Sequence, residues 1–238
     1  MNKLLVLQHT QSEYLGQIED HLEARRIGFQ YLRPFADPSW SLKTMQPSGG
    51  LVLLGGGSWG CAGGNDLPSL QPELELCRRF LEDGLPVIGF GLGAWLLAIA
   101  AGGKARATSF RFELLQARRL RDDALKGFLP PSFAMVRYGR DEAGLPDGTE
   151  IFAEDADGAP AVFQIAQNCF GFAGNPGVKS AIIEDLLMEA ELSGSQFDSP
   201  GDAELAETLA KLRAAQNDMA RALNDIMVGI IQCTGWMD

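Results

Sequence analysis

Gly89-Phe90-Gly91-Leu92-Gly93 follows a short apolar run, Pro86-Val87-Ile88, and opens a small, helix-forming stretch from Ala94 to Ala101. Glycines around a central residue at a strand-to-helix turn make an elbow, the device that lifts a nucleophile above a helix N-terminus. Here the central residue is Gly91, which has no side chain to attack with. The same stretch reads Gly89-x-Gly91-x-x-Ala94, in the strand-then-helix context that a dinucleotide-binding fingerprint needs. That reading is weakened by the motif's place on a middle strand and by Pro86, which shortens the strand. The run up to Glu113, where a ribose-binding acid would stand, also lacks a βαβ rhythm. Close packing of helix on strand would by itself demand the same glycines.

Other chemistry-bearing residues are few. Cys61 lies four residues past Gly55-Gly56-Gly57, on a loop expected to overhang the same cleft, and His9 ends the first apolar run on that side. A displaced nucleophile and base built from Cys61 and His9 is the alternative these positions leave open, although a loop thiol lacks an elbow's strain. His21 falls on a surface-patterned helix. No histidine, cysteine or carboxylate cluster has metal-ligand spacing, and no cofactor is implied. Asp122-Asp123 and Asp155-x-Asp157 read as solvated turns.

The bulk numbers narrow the classes. In 238 residues, 46% are hydrophobic and 21% charged, as in an ordinary globular protein. The formal net charge of −11 repels phosphate backbones, which argues against nucleic-acid binding. No apolar run approaches the roughly 18 residues of a membrane span, and MNKLLVLQHTQSEY lacks the apolar core of a secretory signal. Cys61, Cys77, Cys169 and Cys233 are scattered without CxxC spacing, so free thiols in a reducing cytoplasm are expected.

The elements that must position these residues follow from periodicity. Lys3–Leu7, Phe29–Leu32, Leu51–Leu54 and Pro86–Ile88 read as short buried strands, with helices over Ser12–Arg26 and Leu70–Glu82 and from Leu92 onward. Uniformly apolar strands alternating with helices predict a doubly wound, mostly parallel α/β sheet, with its ligand site beyond the carboxyl ends of the strands. Past Gly103 the pattern changes to Phe112–Arg118, Phe133–Tyr138, Ala161–Gln167 and Cys169–Ala173, expected as an antiparallel extension, and then a helix over Val178–Leu192. Ser199-Pro200-Gly201-Asp202 reads as a capping box with proline at the first helical position. Behind it Leu205, Leu209, Leu212, Met219, Leu223, Ile226 and Ile230 form one stripe, with Gln216 in the missing step. Such a stripe packs on its own domain or on a second copy. The division expected is a domain over residues 1–194 and a helical extension over 195–238.

Taken together, Leu51-Val52-Leu53-Leu54-Gly55-Gly56-Gly57, then Pro86 to Ala98, then Gly102-Gly103-Lys104 resembles the class I glutamine amidotransferases. Their pattern there is a strand ending in Gly-Gly-Pro, then P-V-L-G-I-C-x-G-x-Q-L-L-A, then G-G. Glu113 stands at the family's Glu-Ile-Gly element, and Gly171 to Val178 stands at its G-x-Q-F-H-P-E. The resemblance runs from about Lys3 to Leu192 and implies a flavodoxin-like fold; length and tail look nearest to the GMP-synthase-like branch.

The positions that carry the family's chemistry differ. Gly91 stands at the nucleophile, Asn175 at the base, Gly177 at the base-orienting acid and Trp95 at the pocket glutamine. Tyr138-Gly139-Arg140 replaces an aromatic-His-Gly before Leu145-Pro146. Hydrolysis needs a thiolate, a base and an orienting group, and all three are missing from these positions. What the resemblance leaves is backbone. The N–H groups of Gly56, Gly57, Gly91 and Leu92, beside Trp95 and a helix N-terminus, are expected to hold a small carboxylate or amide ligand. A partner synthase or a homodimer is the expected context, without nucleic acid or membrane.

Overall fold

The computed structural model describes residues 3–37, 49–192 and 201–237. In chain order the elements are β1 (Leu4–Leu7), α1 (Gln17–Ala24), β2 (Phe29–Leu32), β3 (Gly50–Leu53), α2 (Leu70–Glu82), β4 (Val87–Phe90), α3 (Leu92–Ala100), β5 (Lys104–Arg106) and β6 (Arg111–Arg119). There follow β7 (Ser132–Gly139), β8 (Glu142–Gly144), β9 (Glu150–Glu154), β10 (Pro160–Ala166), β11 (Cys169–Phe172), α4 (Ser180–Leu192) and α5 (Asp202–Thr234).

Nine strands form one sheet in the order β2-β1-β3-β4-β11-β10-β9-β6-β7. The first five run parallel, and β10, β9, β6 and β7 extend the sheet antiparallel. The parallel half has the 2-1-3-4-5 order of a flavodoxin-like doubly wound fold. β3, β4 and β11 are buried along their whole length, as strands covered on both faces must be. Along β1 the side chains alternate: Leu4 and Val6 join the core against α1 and α5, and Leu5 and Leu7 that against α2 and α3.

Several boundaries differ from the sequence reading for local reasons. α1 begins at Gln17 rather than Ser12, because Gly16 takes φ +65° and ends an irregular loop. A Cβ there would lie 2.5 Å from the Gly177 carbonyl oxygen, so this glycine is also where the chain crosses under the loop before α4. β9 and the two-stranded ribbon of β5 and β8 were not expected. Both ribbon strands are three residues long and carry charged residues, so they leave no alternating pattern.

α5 begins at Asp202 with Gly201 as its N-cap. Ser199 and Pro200 of the expected capping box lie outside the described residues, as does the 194/195 boundary. The stripe is buried against the chain's own sheet: Leu212, Met219, Leu223, Ile226 and Ile230 are each at most 1% exposed. Gln216, in the missing step, donates from Nε2 to the Val178 carbonyl (3.3 Å).

Candidate functional site

The elbow is built as the sequence implies. β4 delivers Gly91 at φ +54°, ψ −121°, and α3 starts at the next residue. A Cβ at Gly89 would land on the Gly93 carbonyl oxygen, and one at Gly93 on the Leu53 carbonyl, so these two glycines let α3 press onto the sheet. The amides that a pyrophosphate would need are engaged. Gly91 N–H donates to Phe172 O (2.9 Å), Leu92 N–H to Gly55 O (3.3 Å) and Gly93 N–H to Leu54 O (3.0 Å). The glycines of Gly89-x-Gly91-x-x-Ala94 therefore have a packing explanation, and the helix N-terminus is closed by the chain's own carbonyls.

Asn175 and Gly177, the positions that the sequence resemblance assigns to a base and an acid, are joined to each other. Asn175 exchanges backbone hydrogen bonds with Val136 (2.8 and 3.0 Å), and its Oδ1 accepts from the Gly177 N–H (2.8 Å). At Gly177 a Cβ would meet Ile18 Cγ1 at 2.7 Å and Leu223 Cδ2 at 3.1 Å. A side chain at Gly177 would thus run into α1 and α5. The cavity lined by Gly91, Leu92, Trp95, Tyr138, Gly139 and Arg140 measures about 10 Å³, about the least that holds one water. Trp95 is buried and stacks on Phe163, ring centroids 6.0 Å apart. Glu113 lies on β6 and pairs across the strands with Arg137 (2.8 Å).

The Gly-rich loop after β3 is held by a buried ionic cluster. Gly56 N–H donates to Glu13 Oε1 at 2.6 Å, and Glu13 Oε2 accepts from the His9 N–H (3.1 Å) and lies 3.2 Å from His9 Nδ1. His9 Nε2 stands 2.9 Å from Glu73 Oε2, and Ser69 Oγ donates to the other Glu73 oxygen (2.5 Å). The His9 and Glu73 side chains are both fully buried. Burial by itself would lower the imidazole's pKa; the Glu73 charge and the bonds to both carboxylates override it and raise it to about 10. His9 is therefore a positive link between two carboxylates, clamping the ends of β1 and β3 to the first turn of α2.

The alternative of a Cys61/His9 pair finds no free ring nitrogen, because both are taken by Glu13 and Glu73. Cys61 is buried, and burial, with the charges of Asp141 and Asp66, pushes its thiol up to about 12, the reverse of a reactive cysteine. Its loop is pinned by Asp141, whose Oδ2 accepts from the N–H groups of Cys61 (2.8 Å) and Ala62 (3.0 Å). Asp141 holds φ +59° and is 4% exposed. Sequence reasoning missed Asp141, Glu13 and Glu73. For Glu73 a signal existed, since it shares a helix face with Leu76, Cys77 and Phe80 and is a charge on an apolar stripe.

Of the residues expected at a ligand site, Gly91, Leu92 and Trp95 meet at the 10 Å³ cavity. Gly56 is bound to Glu13, and Gly57 lines a different cavity, of about 180 Å³. Comparison with known proteins agrees with this architecture. The chain is 28% identical over 156 residues to the glutamine-hydrolyzing GMP synthase of Thermomicrobium roseum, a match covering 64% of this chain and 28% of that enzyme. It superposes on a glutamine amidotransferase of Methylobacillus flagellatus with a TM-score of 0.79 and 21% identity, over 98% of this chain and 96% of the other. A Thermotoga maritima glutamine amidotransferase gives 0.75 and 19% identity, over 98% of each chain. No family model matches. The fold is that of the glutamine amidotransferases, and the chain is class I glutamine amidotransferase-like. Among the described residues no helix is long and apolar enough to cross a membrane.

Proposed function

We propose that this chain is a non-hydrolytic protein of the amidotransferase-like fold, in which the elbow persists as scaffold. The observation that carries the reading is the cavity of about 10 Å³ above a residue with no side chain. A glutamine carboxamide has neither a nucleophile to meet nor space to enter. Two further observations support it: the Asn175 side chain accepts from the Gly177 amide, and a side chain at Gly177 would meet Ile18 and Leu223. Binding of a carboxylate or amide at Gly56 and Leu92 would require Glu13 to release the Gly56 N–H and the α3 turn to release the Leu92 N–H. The kinship to a GMP synthase makes a synthase the partner class for such a subunit, with a homodimer as the alternative assembly.

The test is ammonia release from glutamine by the purified chain. Loss of a whole triad lowers turnover about a million-fold, equivalent to roughly 8 kcal/mol of transition-state stabilisation, so release is expected at background. Turnover on the order of 1 per second, in the ordinary enzyme range, overturns the proposal. If Cys61→Ser abolishes that turnover, the thiol is a relocated nucleophile; if turnover survives, the reacting groups lie elsewhere.

A further inference from the structure

The 2-1-3-4-5 strand order has its switch point between β1 and β3, from which the connections depart to opposite faces of the sheet, and such a crevice is where doubly wound folds receive ligands. A cavity of about 180 Å³ lies there, bounded by Thr10 after β1, Gly57, Ser58 and Trp59 after β3, and Leu186 and Glu189 on α4. It is separate from the closed elbow, and several times larger than the ~30 Å³ share of one liquid water.

Its polar lining includes several acceptor oxygens. Thr10 is 8% exposed, and its hydroxyl has no hydrogen-bond partner. A buried unpartnered hydroxyl is costly and points to a group the site is built to receive. Glu189 is held in place by the N–H groups of Gln11 (3.2 Å) and Ser12 (3.0 Å), and among the described residues no cation pairs with it. Asn65 spends its amide N–H on the Ser58 carbonyl (2.9 Å), which leaves its own carbonyl oxygen as an acceptor. Trp59 adds an indole to the wall, the side chain whose face attracts ammonium groups best. The Tyr138 hydroxyl is also buried without a partner, and burial and the Glu189 charge both raise its pKa, which places it under the same negative charge. The net charge of −11 draws cations toward such a crevice.

We infer that the crevice between Thr10, Trp59 and Glu189 is a binding site for a small organic amine in its ammonium form. The carboxylate supplies the counter-charge, the Thr10 oxygen accepts an N–H, and Trp59 and Leu186 cover the alkyl part. The site is independent of whether the elbow hydrolyses glutamine.

Calorimetric titration of the full chain with n-butylammonium chloride, n-butanol and sodium butyrate separates charge from shape. Saturable binding of n-butylammonium is expected, with at least tenfold weaker binding of the alcohol and the carboxylate. Glu189→Gln keeps one of the two acceptor oxygens that the Gln11 and Ser12 N–H groups use and removes the charge, and is expected to weaken n-butylammonium at least tenfold; Thr10→Val is expected to weaken it about fivefold. Both variants are first checked to melt cooperatively; if Glu189→Gln does not fold, Thr10→Val and the three-ligand comparison on the unmodified chain decide. Absence of heat with n-butylammonium at tens of millimolar overturns the inference, as does equal binding of butyrate or unchanged affinity in both folded variants.

Discussion

Two regions at the carboxyl edge of the same sheet divide between them what an active site needs. At Gly91 the geometry survives, with a positive φ at the end of β4 and a helix opening behind it, but no titratable side chain stands on the elbow. At His9 the chemistry survives, with an imidazole between two carboxylates, yet both ring nitrogens are committed and the His9 side chain is wholly buried. Side-chain identity alone would name the second as catalytic, and backbone alone would name the first. Catalysis needs a reactive group, a free lone pair and room for substrate in one place. Here they are apart, and the His9 cluster acts as a clamp on the loop from which Gly56 would otherwise offer its N–H.

The comparison breaks most severely if α5 is removed. Leu223 of α5 fills the space beside Gly177, whereas the His9 clamp draws on β1, the Glu13 loop and α2. Leu212, Met219, Leu223, Ile226, Met227, Ile230 and Ile231 are all buried; at ~1.5 kcal/mol for each side chain their burial is worth on the order of 10 kcal/mol before entropy. That rivals the whole stability of a domain. A chain stopped before Asp202 is expected to be insoluble, or to show no cooperative melt by circular dichroism. A soluble truncation with an unchanged melting temperature would mean that the stripe contributes little.

Substitution in the clamp comes next. His9→Leu leaves Glu13 and Glu73 facing each other without the positive link, and is expected to cost about 3–5 kcal/mol in urea unfolding, the range for breaking a buried ion pair from one side. The triple variant His9→Leu, Glu13→Gln, Glu73→Met removes both charges and keeps an acceptor for Gly56, so it should recover much of that loss. If His9→Leu is within 1 kcal/mol of the unmodified chain, the clamp is not structural, and His9 has to be reconsidered as a chemical group.

The same clamp gives a smaller signature in pH. The folded imidazole titrates near 10 against 6.5 for the free group, so the native state keeps a proton that the unfolded chain gives up in between. Its stabilisation is complete below about pH 6.5 and is lost as pH rises through about 10. The stability advantage over the uncharged triple variant should therefore shrink steadily between about pH 7 and 10. An advantage that grows with pH would mean that His9 is neutral in the fold.

How much of this was legible in the sequence follows the range of the interactions. The parallel half of the sheet was readable at β3 and β4, which are continuous apolar runs, but β11, expected in the antiparallel extension, pairs parallel with β4 and antiparallel only with β10. The elbow was readable in part because Gly89 is forced by a contact four residues on, with Gly93, although Gly93 itself is forced by Leu53 on β3. The clamp was not, since His9 and Glu73 are 64 residues apart. The spacing of His9 and Glu13 was equally misleading: four residues suggest one helix face, but here they lie in an irregular loop ahead of α1. The packing around Gly177 was also hidden, because the atoms that a side chain there would meet come from Ile18 and Leu223, on helices far from it in the chain.

The smallest expected effect is the most direct probe of the elbow. Gly89 and Gly91 stand two residues apart and look equivalent in sequence, but they are required for different reasons. At Gly89 a Cβ would overlap the Gly93 carbonyl, so Gly89→Ala must push α3 off the sheet, at a cost of about 3 kcal/mol or more. At Gly91 the nearest atom to a Cβ is the Gly55 Cα at 3.2 Å, a tight but relievable contact, and the chief obstacle is φ +54°. With ψ −121° this residue lies outside the left-handed helical well, in a sparsely populated region that costs a non-glycine residue roughly 1–3 kcal/mol. Gly91→Ala should therefore fold with an intact near-ultraviolet spectrum and lose about that much in urea unfolding. Gly91→Cys should behave alike in stability and still release no ammonia from glutamine, because Asn175 takes no proton and its Oδ1 already accepts from the Gly177 N–H. Should Gly91→Ala prove as damaging as Gly89→Ala, the elbow would be rigid packing and nothing more. Should Gly91→Cys gain glutamine hydrolysis, the cleft would open in solution far beyond its 10 Å³, and the contrast between an empty elbow and a buried clamp would lose its physical basis.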